Sequence, residues 1–171
     1  MKKIILYIFI LAIVVYSCSL NYNAARDIKD RYSREYTGID TLIQINGYYY
    51  ISSKEANSPF VLTTYGGFYK YFAKFACHDN FQDYISNVYP SSTRGNYKIS
   101  NDIIKAKWVS KYDLGIYDIF EEHFIILNDS TLARYYWSNG RSNRIEKILD
   151  ITDSVNIFKF YPFDLPNKID E

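Results

Sequence analysis

Cysteine is scarce in this chain: Cys18 and Cys77 are the only two among 171 residues. Modification of Cys18 would leave Cys77 without a partner, so no intramolecular disulfide is expected, and a lone thiol is safest buried. Glycine (7) and methionine (1) are also few. There is no Gly-rich phosphate loop, no nucleophile elbow and no His-Glu-x-x-His pair, so the common motifs of nucleotide binding and hydrolysis are missing. Charge of one sign is lacking too. The formal net charge is +1 and no basic run occurs, which argues against nucleic acid as a partner. Only one long apolar run exists, Ile4 to Val15. It is shorter than the about 20 residues that cross a bilayer comfortably.

That run follows Lys2 and Lys3 and ends at Ser17-Cys18. A charged start, an apolar middle and a small residue at the cut predict a secretory signal peptide over residues 1–17. An uncleaved anchor helix is the alternative. The segment "VYSC" resembles a bacterial lipobox, with Val15 where leucine is usual and Tyr16 bulkier than usual. The resemblance implies that Cys18 is acylated and becomes the first residue of the mature chain. Two or more acyl chains hold a protein at a membrane where one is marginal. Residues 18–40 then read as a lipidated N-terminus and polar tether. No acid precedes Asp27, which favours the periplasmic face of the outer membrane over the cell surface.

What the chain does have is aromatic residues, 19 Tyr and 11 Phe. These favour strands, although AT-rich codon usage would raise the same residues. From Thr41 the pattern turns to a two-residue repeat. Ile43, Ile45, Tyr49 and Ile51 share one side, and Gly47 on that side permits close approach. "PFVLTT", Gly66-Gly67 and "FYKYFAKF" predict a hairpin. Its uncharged face, Tyr69, Tyr71, Ala73 and Phe75, is expected to point inward, with Lys70 and Lys74 outward. Asp79 and Gln82 form a capping-box pattern, and Phe81, Tyr84, Ile85, Val88 and Tyr89 an amphipathic stripe that Pro90 stops. This predicts one helix over 79–89. Two similar hairpins follow, turning at Asn101-Asp102 and Asn128-Asp129. Ile104, Ala106 and Trp108 alternate against Lys105 and Lys107. "GIYDIFEEHF" is a strand whose alternation is disturbed at Glu121-Glu122, and "VNIFKFYPF" is the last strand.

About eight strands and one interposed amphipathic helix predict a mainly β fold, an antiparallel up-and-down β-barrel, because closure removes exposed edges. The segment from about Thr41 to Phe163 resembles the lipocalin-like (calycin) barrels of small bacterial, Bacteroidota-type envelope lipoproteins. "NGYYY", "TYGGFYKYF", the helix ending at Tyr89, "GNYKISNDIIKAKW" and "FIILNDSTL" carry the likeness. Larger lipocalins have Gly-x-Trp on the first strand; here Gly47-Tyr48-Tyr49 gives Gly-x-Tyr. The resemblance implies the barrel and a general capacity to bind. The domain is expected over 41–163, with a tail over 164–171.

Function is expected to be non-catalytic. Cys77, His78 and Asp79 are ligand-type residues, but Asp79 is explained as a cap, and nothing brings Glu121, Glu122 or His123 to them. Adjacent Cys77 and His78 on an extended chain point to opposite faces, so a thiol–imidazole pair is not expected. Asp118, Glu121 and Glu122 read as solvated acids on a strand. No metal and no cofactor are implied. Tyr49, Tyr69, Tyr71, Ala106 and Trp108 are candidates to line a barrel interior that holds a small apolar or amphipathic ligand; they would equally fill a solid core. The other expectation is a scaffold, with Arg134, Arg141 and Arg144 near loop 138–144 meeting an envelope protein. A monomer is expected.

Overall fold

The computed structural model describes residues 5–13, 15, 36–51, 59–70, 93–111, 117–139 and 145–162. Period-two apolar patterning produces nine strands there. They are β1 (Gly47–Tyr50), β2 (Phe60–Leu62), β3 (Gly67–Lys70), β4 (Thr93–Ser100), β5 (Ile103–Lys111), β6 (Tyr117–Asn128), β7 (Thr131–Asn139), β8 (Ile145–Ile148) and β9 (Ile157–Pro162). All pair antiparallel. The order β6-β5-β4-β3-β2-β1-β9-β7 is closed by β6–β7 pairing, so eight strands form a barrel, and β8 adds to the free edge of β7. Closure satisfies the backbone groups that an open meander would expose. The expected helix over 79–89 lies outside the described residues. The described α-helical residues are 5–13 and 15, whose large apolar side chains are exposed.

Local chemistry sets the turns. Asn101 and Asp102 have φ of 51° and 60°, the left-handed pair that a two-residue hairpin between Ser100 and Ile103 requires. The second hairpin turns one residue later than the sequence suggests, at Asp129-Ser130 between the paired Asn128 and Thr131. Here Asn128 Oδ1 accepts from Ser130 N at 3.0 Å and Ser130 Oγ at 3.1 Å, so the side chain, not a left-handed backbone, makes the bend. Gly66, at φ 83°, and Thr63 Oγ1, accepting from Gly67 N at 3.0 Å, turn β2 into β3.

Residues 37–44 close one end of the barrel, ahead of the boundary expected at Thr41. Ile39 and Ile43 are buried there beside a 3-10 turn, Ile39–Thr41. Tyr97 Oη donates to Thr63 O at 2.5 Å and lies 2.9 Å from Thr37 Oγ1. Tyr49 Oη donates to Gln44 O, and Gln44 N to Asp129 O. Inside, Phe60 is a hub. Its ring centroid lies 4.9–5.5 Å from those of Phe124, Phe158, Phe68 and Tyr49. Each such aromatic pair adds about 0.5–1.5 kcal/mol beyond burial. Gly47 is needed for this closure. A Cβ there would meet Tyr161 O at 2.1 Å and the Phe160 ring at 2.6 Å.

One strand line is broken. Along the edge of β7, Asn139 to Tyr136 pair with β8, and Leu149 N donates to Tyr135 O. Ala133 to Thr131 pair instead with β9. The chain between, residues 150–156, leaves the sheet, turns through Ser154–Asn156 with Asp153 as its cap, and returns. The pairing of β7 with β6 also shifts register here, between His123 and Phe124. Tyr135 is the extra residue of that bulge, so Arg134 stays on the interior face with Leu132 while Trp137 resumes it.

Candidate functional site

Among the described residues, three charges that contact one another occur where the alternation demands apolar side chains. On β6, Phe120, Glu122 and Phe124 face inward, and Glu122 is fully buried. On β3, Phe68 and Lys70 share the interior face, because their cross-strand partners on β2 are Leu62 and Phe60. On β7 the pair is Leu132 and Arg134. These three strands bring one carboxylate between two cations. Lys70 Nζ donates to both Glu122 oxygens, at 2.6 and 2.7 Å, across a barrel in which β3 and β6 are not neighbours. Arg134 Nη1 donates to Glu122 Oε1 at 2.9 Å.

Aromatic rings wall this cluster. Lys70 Nζ lies 5.0 Å from the Trp108 ring centroid and Arg134 Cζ 5.5 Å from that of Phe158, within cation–π range. Trp108 stacks on Phe120 at 4.0 Å, and Trp137 lies 6.2 Å from Phe120. Burial alone would raise the Glu122 carboxyl, but the Lys70 and Arg134 charges outweigh it and hold it below the usual carboxylate range. Burial pushes the Lys70 ammonium below its usual value, helped by the Arg134 charge and opposed by Glu122. Glu122 is therefore an anion held between Lys70 and Arg134.

Arg134 is the most exposed member: its side chain is 17% exposed, against 5% for Lys70 and 0% for Glu122. Its Nη2 reaches Asn156 Oδ1 only at 3.5 Å. Its Nε is buried with no hydrogen-bond partner among the described residues. Asn156 is itself buried and donates through Nδ2 to Asp150 O at 2.9 Å, pinning the neck of the 150–156 excursion. Asp118, further along β6, is buried as well.

The sequence-based candidates are placed as follows. Tyr49, Ala106 and Trp108 lie in the interior core. Tyr69 is a correction: it pairs with Val61 on the opposite face of β2–β3, buried but not in the barrel interior, and Lys70 takes the inward place. Tyr71, Arg141, Arg144 and Cys18 lie outside the described residues, as do Cys77, His78 and Asp79. Arg134 is a second correction. It is not a loop contact but an interior residue of β7, fixed to Glu122. Glu122 and Asp118 are likewise buried acids, not solvated ones. The strand runs through Glu121-Glu122 without interruption, and the irregularity falls one pair later.

Glu121 and His123 lie on the outer face, opposite to Glu122. Glu121 Oε1 lies 2.8 Å from His123 Nε2, and Lys107 approaches Glu121 at 3.3 Å. Burial would raise Glu121, but the His123 hydrogen bond and the Lys107 charge lower it overall. Tyr136 stacks on His123 at 4.4 Å. These acids and this histidine therefore do not converge with Glu122 on a single centre. Among the described residues no helix is long and apolar enough to cross a membrane. Comparison with protein-family models, with curated proteins and with solved structures finds no match for this chain.

Proposed function

We propose that the protein is a non-catalytic envelope lipoprotein whose barrel takes a small amphipathic molecule in its interior. The observation that carries this reading is the Lys70–Glu122–Arg134 cluster amid Trp108, Phe120, Phe158 and Trp137. Packing alone does not call for it. Replacing a buried ion group by apolar side chains of similar volume is often neutral or stabilising, by about 1–4 kcal/mol. A few convergent polar groups within apolar walls are instead what an amphipathic ligand needs. The N-terminal run supports the tether. Its apolar side chains, Ile5 to Ile13, take no part in the barrel core. Acylation at Cys18 would hold the barrel at the periplasmic face of the outer membrane.

Native mass spectrometry of the protein purified from its own host tests both parts. The expected result is a diacyl or triacyl mass on Cys18 and a co-bound small amphiphile. A bare chain that also takes up no apolar fluorophore would overturn the ligand reading. An unmodified Cys18 would overturn the anchor. The close ring packing around Phe60 favours a second reading, a solid-core scaffold that meets another envelope protein. Under that reading the same sample carries a protein partner and no small molecule.

A further inference from the structure

The geometry points to Arg134 as the receptor for a single anionic head group, carboxylate or phosphate, bound beside the break between β8 and β9. This rests on the amphipathic-ligand reading and names the head that such a ligand would carry. Four observations converge. The guanidinium offers two forks, and Glu122 occupies only Nη1. The other fork is Nε with Nη2, the edge that matches two oxygens of a carboxylate or phosphate. Nε on that edge has no acceptor among the described residues, and Nη2 has Asn156 Oδ1 at the long limit of 3.5 Å. A buried donor left without an acceptor is costly, and an incoming oxygen removes that cost.

Position and charge agree with the fork. Arg134 sits on β7 between the residues that pair with β9 and those that pair with β8, where residues 150–156 leave the wall. It is also the most exposed member of the cluster. Glu122 accepts from both basic side chains, and an anionic head adds an acceptor on the edge of Arg134 that Glu122 leaves. Each acid of the excursion accepts within the excursion through Oδ1. Asp150 Oδ1 accepts from Thr152 N and Oγ1, and Asp153 Oδ1 from Val155 N. In the bound state a ligand oxygen takes the place of Asn156 Oδ1, and the tail lies along the Phe158 ring and the Trp108–Phe120 stack.

The test uses the full chain on zwitterionic nanodiscs, with empty nanodiscs as reference, and calorimetric titration with probes of one tail length. Octanoate and octyl phosphate are expected to bind about ten-fold or more tightly than octanol, as a charge-assisted hydrogen bond implies. Arg134→Gln is expected to erase that gap, and Arg134→Lys to keep part of it. The wild-type comparison needs no variant, so a misfolded Arg134→Gln does not remove the test. Octanol binding as tightly as octanoate would overturn the anion site and leave the amphiphile barrel standing. Inorganic phosphate binding as tightly as octyl phosphate would keep the anion site and sink the amphiphile reading. No binding by any probe would overturn both. Between the two octyl anions, the tighter one identifies the head as carboxylate or phosphate.

Discussion

Glu122→Gln is the substitution that tests the cluster most directly. The carboxylate is fully buried and accepts three charge-assisted hydrogen bonds, two from Lys70 at 2.6 and 2.7 Å and one from Arg134 at 2.9 Å. Glutamine keeps the shape but leaves two cations facing each other in the interior. Removing one partner of a buried ion pair costs about 3–5 kcal/mol, a large share of a total stability of about 5–15 kcal/mol. With a urea m-value of about 1–3 kcal/mol/M, the midpoint should fall by about 1 M or more at unchanged m. Trp108 and Trp137 provide the fluorescence signal. The triple variant Lys70→Met, Glu122→Met, Arg134→Met should recover wild-type stability or exceed it, because all three desolvation costs vanish together. The effects are thus strongly non-additive.

Acid titration adds an independent arm. The folded Glu122 carboxyl lies below its ordinary value, so its contribution is present above the unfolded pKa of about 4.3 and is lost as pH falls through the folded value. The gap between wild type and Glu122→Gln should therefore be widest near neutrality and narrow below about pH 4. A Glu122→Gln protein within about 1 kcal/mol of wild type, or a triple variant as unstable as the singles summed, would refute the reasoning.

Three further outcomes are expected. Gly47→Ala should destabilise by at least about 1–3 kcal/mol in urea unfolding, since the new Cβ lands 2.1 Å from Tyr161 O in a paired strand. Tyr97 is pushed up to about 12 by burial from an ordinary 10.0. Its contribution is therefore fully present below pH 10 and lost as pH rises through 12, and Tyr97→Phe should flatten that alkaline limb in a stability–pH series. Asn101→Gly should be neutral or slightly stabilising, whereas Asn101→Val should cost about 1–2 kcal/mol, because φ is 51° there; thermal melts separate the two.

The barrel was legible because strand signals are local. Ile104, Ala106 and Trp108 alternate against lysines, Asn101-Asp102 suits a left-handed turn, and Gly47 lies where rings must approach; the structure places all of these as read. The charged cluster was not legible for a different reason. On β3 the alternation offers two faces, Phe68 with Lys70 or Tyr69 with Tyr71, and hydropathy alone favours the uncharged one. The choice is decided by a carboxylate 52 residues away. A signal did exist: Phe68-x-Lys70, Phe120-x-Glu122-x-Phe124 and Leu132-x-Arg134 each set one charge into an apolar face, and the three charges complement one another. Reading any of them singly as a solvated strand residue is sound, because an unpaired charge would not be buried there. Only the set makes burial affordable, and a set spread over three strands is a property of closure. The same limit hid the position of Arg134. A two-residue repeat predicts which face a side chain takes but not where the neighbouring strand is interrupted, and it is the eight residues between Ile148 and Ile157, set against two on β7, that put this guanidinium beside a break in the wall.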